Sequence, residues 1–140
     1  MSTPDDAARW REERRASAAA HADALARKQA AESQQARALI ATFVERALAH
    51  GPAPVELRAR SYDGRARYRT PLRGWYLRRD ESVAVDTAGE FYVLSTPASL
   101  AARVRGVVPA PSDPPLVLGA GGKDGESLDL TQALARVLDA

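Results

Sequence analysis

The sequence predicts an α+β protein, with an antiparallel meander of about five short strands packed by an N-terminal helix and a C-terminal helix. Residues 5–50 have high helix propensity, and residues 57–95 alternate short β-prone runs with turn residues. Residues 129–138 carry a second helical apolar pattern. A chain of 140 residues is long enough for one domain with a core, which we expect at 36–140 after an arm at 1–35.

The first helix is predicted in two parts that differ in what they bury. Trp10 and Leu25 are the only large apolar residues between positions 5 and 35, so the Ala- and Arg-rich arm is predicted to be helical or partly disordered. After residue 35 an apolar stripe with helical spacing is predicted to face the core. Its members are Leu39, Ile40, Phe43, Val44, Ala47 and Leu48. His50-Gly51-Pro52 is predicted to end the helix.

Five arginines are predicted to share one face of a β-hairpin between residues 57 and 70. Asp63-Gly64 is a favoured two-residue turn in which both positions take positive φ, and it would place Tyr62 opposite Arg65. Side chains alternate along a strand, so this arginine face comprises Arg58, Arg60, Arg65, Arg67 and Arg69, together with Tyr62. Like charges that face each other are destabilising, so the face is expected to need an acidic partner.

The remaining strands are predicted from the turns between them. Pro71–Gly74 is predicted to turn the chain into a third strand at Trp75–Arg78. A fourth strand is predicted at Ser82–Asp86 and a fifth at Glu90–Ser95. One side of the meander is predicted to carry Trp75, Leu77, Val83, Val85, Phe91 and Val93. On the other side lie Tyr76 and Tyr92, for which a core or helix-covered position is favoured over stacking on nucleic acid.

Two further helices are predicted from capping signals. Thr96-Pro97 is expected to begin a short helix that Gly106 ends, with Leu100 and Val104 facing inward. Four prolines between residues 109 and 115 then keep the chain extended. Asp129 and Gln132 are expected to form a capping box at the start of the last helix. This helix is predicted to bury Leu130, Leu134, Val137 and Leu138.

The sequence gives little support for catalytic, metal-binding or cofactor chemistry. The absence of cysteine excludes thiol catalysis, thiolate metal sites and disulfides. His21 and His50 both lie in predicted helix, away from any carboxylate cluster. The loop Gly119–Gly125 departs from phosphate-binding spacing, because Asp124 follows Lys123 where a Ser or Thr is needed. We therefore predict a protein that is not an enzyme, with no cofactor and no metal.

The net charge of +2 is unevenly distributed along the chain. Residues 51–80 carry eight basic and three acidic side chains, whereas residues 81–140 carry four basic and eight acidic ones. No run of 18 apolar residues is present to span a membrane, and residues 1–6 begin acidic without an apolar signal segment. These features favour a cytoplasmic protein with no membrane partner.

Three interpretations of the arginine face remain open. It is neutralised within the protein by the acidic C-terminal half, for which the candidates are Asp80, Glu81, Asp86 and Glu90. Alternatively it binds an acidic protein surface, or it binds phosphate backbone in nucleic acid. We predict a non-catalytic interaction or accessory protein that contacts a macromolecule through this face or through the N-terminal helix, which also offers a route to homo-oligomers. A protein partner is favoured over nucleic acid, because the overall charge is near neutral.

Several short motifs resemble small actinobacterial proteins of no established activity. They are Arg73–Arg78 (RGWYLR), Val83–Val85, Glu90–Leu94 (EFYVL), Pro114–Val117 (PPLV) and Gly122–Ser127 (GKDGES). The resemblance covers about residues 36–138, and its most specific part is the pairing of GWYLR with DGES. It implies a defined fold and a GC-rich bacterial source, and it carries over no catalytic residue.

Overall fold

The computed structural model describes residues 3–119 and 127–140 and has the predicted α+β architecture. Its elements are α1 (Pro4–His50), β1 (Val55–Ser61), β2 (Arg67–Tyr76), β3 (Val83–Asp86), β4 (Phe91–Val93), β5 (Ser95–Thr96), α2 (Leu100–Arg105), β6 (Val117–Leu118), β7 (Leu128–Asp129) and α3 (Leu130–Leu138). The first five strands form one sheet in the order β4-β3-β2-β1-β5, and β6 pairs with β7 in a separate ribbon.

Internal contacts divide the chain into two units, Met1–Glu32 and Ser33–Ala140. The first unit is helical from Pro4 onward, and its described side chains are exposed apart from the residue at its end. Its start carries a reciprocal cap, in which the Asp6 amide donates to the Thr3 hydroxyl (3.2 Å) and the Thr3 amide donates to the Asp6 carboxylate (3.3 Å). Helix propensity and capping therefore support this unit.

The sheet of the second unit curls on itself, because the segment Phe91–Thr96 pairs at both of its ends. β4 pairs antiparallel with β3, and β5 follows at once and pairs parallel with β1. Between them, the Leu94 amide donates to the Ser82 carbonyl, and the Leu94 carbonyl accepts from the Arg60 amide, both at 2.8 Å. The two edge strands, β4 and β5, are thus consecutive in the chain. In a simple meander the edge strands are instead the first and the last strand.

Two apolar clusters fill the two sides of this curled sheet. On the outer side α1 and α3 pack against the strands, and the Phe43 and Trp75 rings meet edge to face at 5.3 Å. The inner cluster comprises Leu57, Ala84, Tyr92 and Leu94, with Leu72 and Tyr76 packed against it. Tyr76 and Tyr92 therefore occupy the core position favoured for them, Tyr92 as a buried member of the inner cluster and Tyr76 packed against it.

The predicted apolar side of the sheet is largely confirmed. Trp75, Leu77, Val85 and Phe91 are buried in the outer cluster, and Val83 packs against it. Val93, which pairs with Val83 at the sheet margin, is half exposed. The helical stripes are confirmed at Ile40, Phe43, Val44, Ala47, Leu130 and Leu134, with Leu39, Val137 and Leu138 partly buried. The prediction that Leu48 faces the core is wrong, since more than half of this residue is exposed.

The predicted turn at Pro71–Gly74 is wrong, because β2 runs through it. The register between β1 and β2 shifts between Glu56 and Arg58, so β2 carries a bulge at Pro71. Within the bulge the Thr70 hydroxyl donates to the Leu57 carbonyl (2.5 Å), replacing an amide that Pro71 lacks. Two predicted strands therefore merge into β2, and the predicted fifth strand is split into β4 and β5.

The capping predictions are confirmed in part. Gly106 ends α2 with φ +77°, and Asp129 is the N-cap of α3, but its side chain makes no capping hydrogen bond. Thr96 is taken up by β5, so Ser99 is the N-cap of α2 instead. In residues 3–119 and 127–140, no helix is long and apolar enough to cross a bilayer.

Candidate interaction surface

The hairpin pairs in the predicted register along its straight part. Arg58 lies opposite Arg69 and Arg60 opposite Arg67. Burial alternates with exposure along β1, and Tyr68 on β2 is fully buried beside exposed neighbours. The arginine face therefore exists as a surface, because the residues between the arginines face inward.

The turn that closes the hairpin differs from the prediction. Gly64 has φ +73°, but Asp63 does not have positive φ, and the ladder closes between Ser61 and Ala66. Tyr62 and Arg65 thus lie in a four-residue loop and do not pair across the ladder. The Asp63 carboxylate accepts from the Ser61 hydroxyl (2.6 Å) and the Arg65 amide (2.9 Å). These two hydrogen bonds lower the pKa of Asp63 and explain why the longer loop forms.

Two of the five arginines point to solvent without a counter-ion. Within residues 3–119 and 127–140, the side chains of Arg58 and Arg65 make no hydrogen bond or ion pair, and both residues are exposed. Tyr62, between them in sequence, is 73% exposed. These three side chains are the part of the arginine face that is available to a partner.

Two other arginines are neutralised or anchored within the protein. Arg67 forms an ion pair with Glu81 at 2.5 Å, and the Arg60 guanidinium donates to the Asp80 carbonyl. Glu81 takes φ +61°, a value that L-residues rarely adopt. Burial raises the pKa of the Tyr76 phenol, and the adjacent Glu81 carboxylate adds to the rise. Internal neutralisation is thus found at Arg67, where Glu81 provides the counter-ion, whereas Arg60 is anchored by a neutral carbonyl.

The other carboxylates considered for this role are used elsewhere. Asp86 accepts from the Tyr92 hydroxyl (3.0 Å) and from the amides of Ala88 and Glu90. Burial acts to raise the pKa of Asp80, but hydrogen bonds from the Ser82 hydroxyl and amide outweigh it, so the pKa is lowered. Neither Asp86 nor Glu90 forms an ion pair with the arginine face among the residues described.

Arg69 connects the hairpin to α2. Its guanidinium donates to the Val104 carbonyl (3.1 Å), and its own carbonyl accepts from the Val107 amide (2.7 Å). A Cβ added at Gly106 would lie 2.7 Å from the same carbonyl oxygen, so the close approach requires glycine here. At the other end of α2 the Ser99 amide donates to the hydroxyl of the buried Tyr68 (3.0 Å). Polar and main-chain contacts thus fix the helix at both ends.

The apolar side chains of α2 face solvent, so the predicted inward pair is wrong. Leu100 is 80% exposed and Val104 is 75% exposed, and Val108 just beyond the helix is 81% exposed. No residue of α2 is buried. The spacing of Leu100 and Val104 shows that they share a helix face, but it does not show whether that face meets the core or the solvent.

A cleft of about 410 Å³ separates the hairpin loop from the start of α2. Its lining includes Arg65 and Asp63 from the loop and Leu100 and Arg103 from the helix. Arg65 of the hairpin loop and the side of α2 that carries Leu100 and Arg103 thus border the same cleft. The two surfaces are therefore neighbours.

Potential metal-ligating side chains are dispersed in the part of the chain that the structure describes. No group of three His, Cys, Asp or Glu residues there is arranged to hold a metal ion. The glycine-rich loop considered for phosphate binding lies outside the described residues from position 120 to 126.

No model of a known protein family matches this chain, and neither a curated protein nor a solved structure shows significant similarity to it. The functional argument therefore depends on the geometry of the arginine face and its surroundings.

Proposed function

We propose that this chain is a non-catalytic cytoplasmic interaction protein that contacts an acidic macromolecule through the arginine face, and that this macromolecule is a protein. The observation that carries the proposal is the exposure of Arg58 and Arg65 without a counter-ion among the described residues, on a hairpin that has already paired Arg67 with Glu81. Internal acidic groups thus reach only part of the face. The remaining charge, on Arg58 in the ladder and Arg65 in the hairpin loop, is available to a partner.

A protein partner agrees better with the composition of this surface than nucleic acid does. Arg and Tyr are enriched among the residues that dominate binding at protein interfaces, and the free part of the face consists of two arginines and Tyr62. A phosphate backbone requires a longer row of free cations, whereas Glu81 and Asp63 lie among these arginines. The observation that favours nucleic acid is Tyr62, because an aromatic ring 73% exposed beside cations is able to stack on a base.

The test compares charge-reversal variants. Proteins captured by the immobilised wild-type chain from nuclease-treated extracts are identified and compared with those captured by the double variant Arg58→Glu/Arg65→Glu. Arg79→Glu is the matched control, because Arg79 is also exposed and lies outside the arginine face. We expect a specific acidic protein to be captured by wild type and control and lost with the double variant.

Fluorescence polarisation of labelled RNA and DNA across a salt series separates the two partner classes. Binding that falls steeply with salt and disappears in the double variant would replace the protein partner with nucleic acid. Identical capture by wild type and double variant, with no oligonucleotide binding, would rule out the arginine face as a contact.

The N-terminal helix is the second contact in this proposal. Trp10 is 57% exposed and Leu25 is 50% exposed, and Arg14 stacks over the Trp10 ring at 4.6 Å. Sedimentation equilibrium of the wild type and of Trp10→Ala/Leu25→Ala tests homo-oligomer formation through this helix. A monomer at all concentrations would remove self-association from the proposal.

A further inference from the structure

We infer that α2 and the segment after it, residues 100–108, form a preformed docking surface for an acidic amphipathic segment of another protein. This inference rests on the proposed function and deepens it, because it names the chemistry of the partner and adds a second contact beside the arginine face. We call residues 100–108 the α2 surface.

The α2 surface is held in place by polar and main-chain contacts, which leave Leu100 and Val104 exposed. A helix of six residues is too short to be stable alone, so its contacts with the sheet must hold it. Those contacts are the bonds of Arg69 to Val104 and Val107, the close approach of Gly106, and the Tyr68–Ser99 hydrogen bond. Every one of them is a polar or main-chain contact. The outward direction of the apolar side chains therefore follows from the way the helix is anchored.

The exposed apolar side chains are grouped. Leu100 and Val104 lie four residues apart on one helix face, and Val108 follows after the helix end. All three are at least 75% exposed, whereas the other exposed Leu and Val residues described in the second unit are at most 57% exposed. Grouped exposed apolar residues on a rigid element indicate a binding surface, since ordering costs little on association.

The charge of the α2 surface defines its partner. Residues 97–112 contain Arg103 and Arg105 and no acidic residue. The next carboxylate along the chain, Asp113, is paired with Arg37 at 2.5 Å. Across the cleft, Asp63 is held by the Ser61 hydroxyl and the Arg65 amide. A surface that offers only aliphatic groups and arginines is complementary to a segment with an apolar face and acidic flanks.

The chemistry favours a protein segment over a lipid surface. Helices that lie on membranes are usually long and combine Lys or Arg with Trp, Phe and Leu inserted into the interface. The α2 helix has six residues, and the α2 surface carries no aromatic residue. Its exposed aliphatic area matches a groove contact with a few anchoring side chains.

The test uses full-length protein and a fluorescein-labelled helical peptide of about 18 residues that carries leucines on one face and glutamates on the other. A second peptide has lysines in place of the glutamates. We expect micromolar affinity for the acidic peptide and binding of the lysine peptide that is at least about tenfold weaker. Leu100→Ser/Val104→Ser is expected to weaken binding of the acidic peptide at least about tenfold. Leu48→Ser, an exposed leucine outside the α2 surface, is the matched control and is expected to leave it unchanged.

A second variant distinguishes a loss of binding from a loss of folding. Arg103→Glu/Arg105→Glu leaves the apolar side chains in place, and it is expected to abolish the preference for the acidic peptide. Urea unfolding of both α2 variants should match wild type, because none of the four substituted side chains is buried. Equal binding of both peptides, or no binding at millimolar protein, would overturn the inference.

The remaining outcomes separate this inference from the proposed function. Loss of peptide binding in Arg58→Glu/Arg65→Glu but not in Leu100→Ser/Val104→Ser would overturn the α2 surface and retain the arginine face. Loss of peptide binding in Leu100→Ser/Val104→Ser but not in Arg58→Glu/Arg65→Glu would retain the α2 surface and overturn the arginine face. Binding to phosphatidylserine-containing vesicles but not to the acidic peptide would replace the protein segment with a lipid surface. Self-association that Leu100→Ser/Val104→Ser abolishes would replace it with a second copy of this chain.

Discussion

Glu81 provides a quantitative test of how the arginine face is stabilised. Its carboxylate pairs with Arg67 at 2.5 Å, and its backbone takes φ +61°. The Glu81 side chain is 27% exposed and the Arg67 side chain is 48% exposed. Two substitutions separate these features. Glu81→Ala removes the ion pair and keeps a side chain at positive φ, whereas Glu81→Gly removes the ion pair and also relieves the backbone strain.

The expected free energies of unfolding follow from these two features. A half-exposed ion pair contributes about 0.5–1 kcal/mol. A non-glycine residue in the left-handed region lowers the free energy of unfolding by about 1–2 kcal/mol. Glycine recovers only part of this energy, because its greater conformational freedom in the unfolded chain costs about 0.4–1 kcal/mol. We therefore expect Glu81→Ala to lower the free energy of unfolding by about 1 kcal/mol. Glu81→Gly is expected to remain within about 0.5 kcal/mol of wild type.

Urea unfolding monitored by Trp75 fluorescence measures this difference. Trp75 is buried against Phe43, and a Trp10→Phe background removes the signal of the other tryptophan. A double-mutant cycle with Arg67→Ala should give a coupling energy of about 0.5–1 kcal/mol. An alanine variant as stable as the glycine variant would refute the strain argument. A coupling energy of zero would refute the neutralisation of Arg67 by Glu81.

Three further predictions follow from single contacts. Gly74→Ala places a Cβ 1.9 Å from the Val85 carbonyl oxygen, so it should lower the free energy of unfolding by more than about 3 kcal/mol in urea titrations. Burial, and then the hydrogen bond to Asp86, raise the pKa of Tyr92 from 10.0 to about 12. The contribution of this shift to stability is therefore complete below pH 10 and is lost as the pH rises toward 12. Tyr92→Phe should flatten the pH dependence of the free energy of unfolding in that range and remove the last phenolate step in the absorbance titration. Ser99→Ala removes the cap that accepts from the third residue of α2, and faster hydrogen exchange of the α2 amides with unchanged global stability is the expected result.

The sequence predicts those features of the fold that depend on local periodicity. Alternation along residues 57–69 predicts both the register of the hairpin and the outward direction of its arginines. Helical spacing likewise predicts the buried stripe of α1 and two of the three buried residues of α3, Leu130 and Leu134. In each case the pattern repeats often enough that one face must be apolar and the other polar.

The features that sequence reasoning missed depend on tertiary contacts. The parallel pairing of β5 with β1 brings together residues more than 30 positions apart, and no local pattern encodes it. Pro71 predicts a turn locally, but a bulge accommodates its missing amide within β2. The outward face of α2 was missed because two apolar residues four positions apart look the same whichever side they face. The lack of acidic residues at 97–112 was the available signal.

Arg69 connects the arginine face to the α2 surface, because it is part of the first and anchors the second. Its Cα lies opposite Arg58 in the hairpin ladder, and its guanidinium and carbonyl anchor the end of α2. A partner that contacts both surfaces therefore meets elements whose relative position is already fixed, so little conformational entropy is lost on binding. In the proposed complex we expect the arginine face to supply charge that steers an acidic partner, and Leu100 and Val104 to supply apolar area that slows its dissociation. Reversal of charge at Arg58 and Arg65 should thus act mainly on the association rate, and Leu100→Ser/Val104→Ser mainly on the dissociation rate.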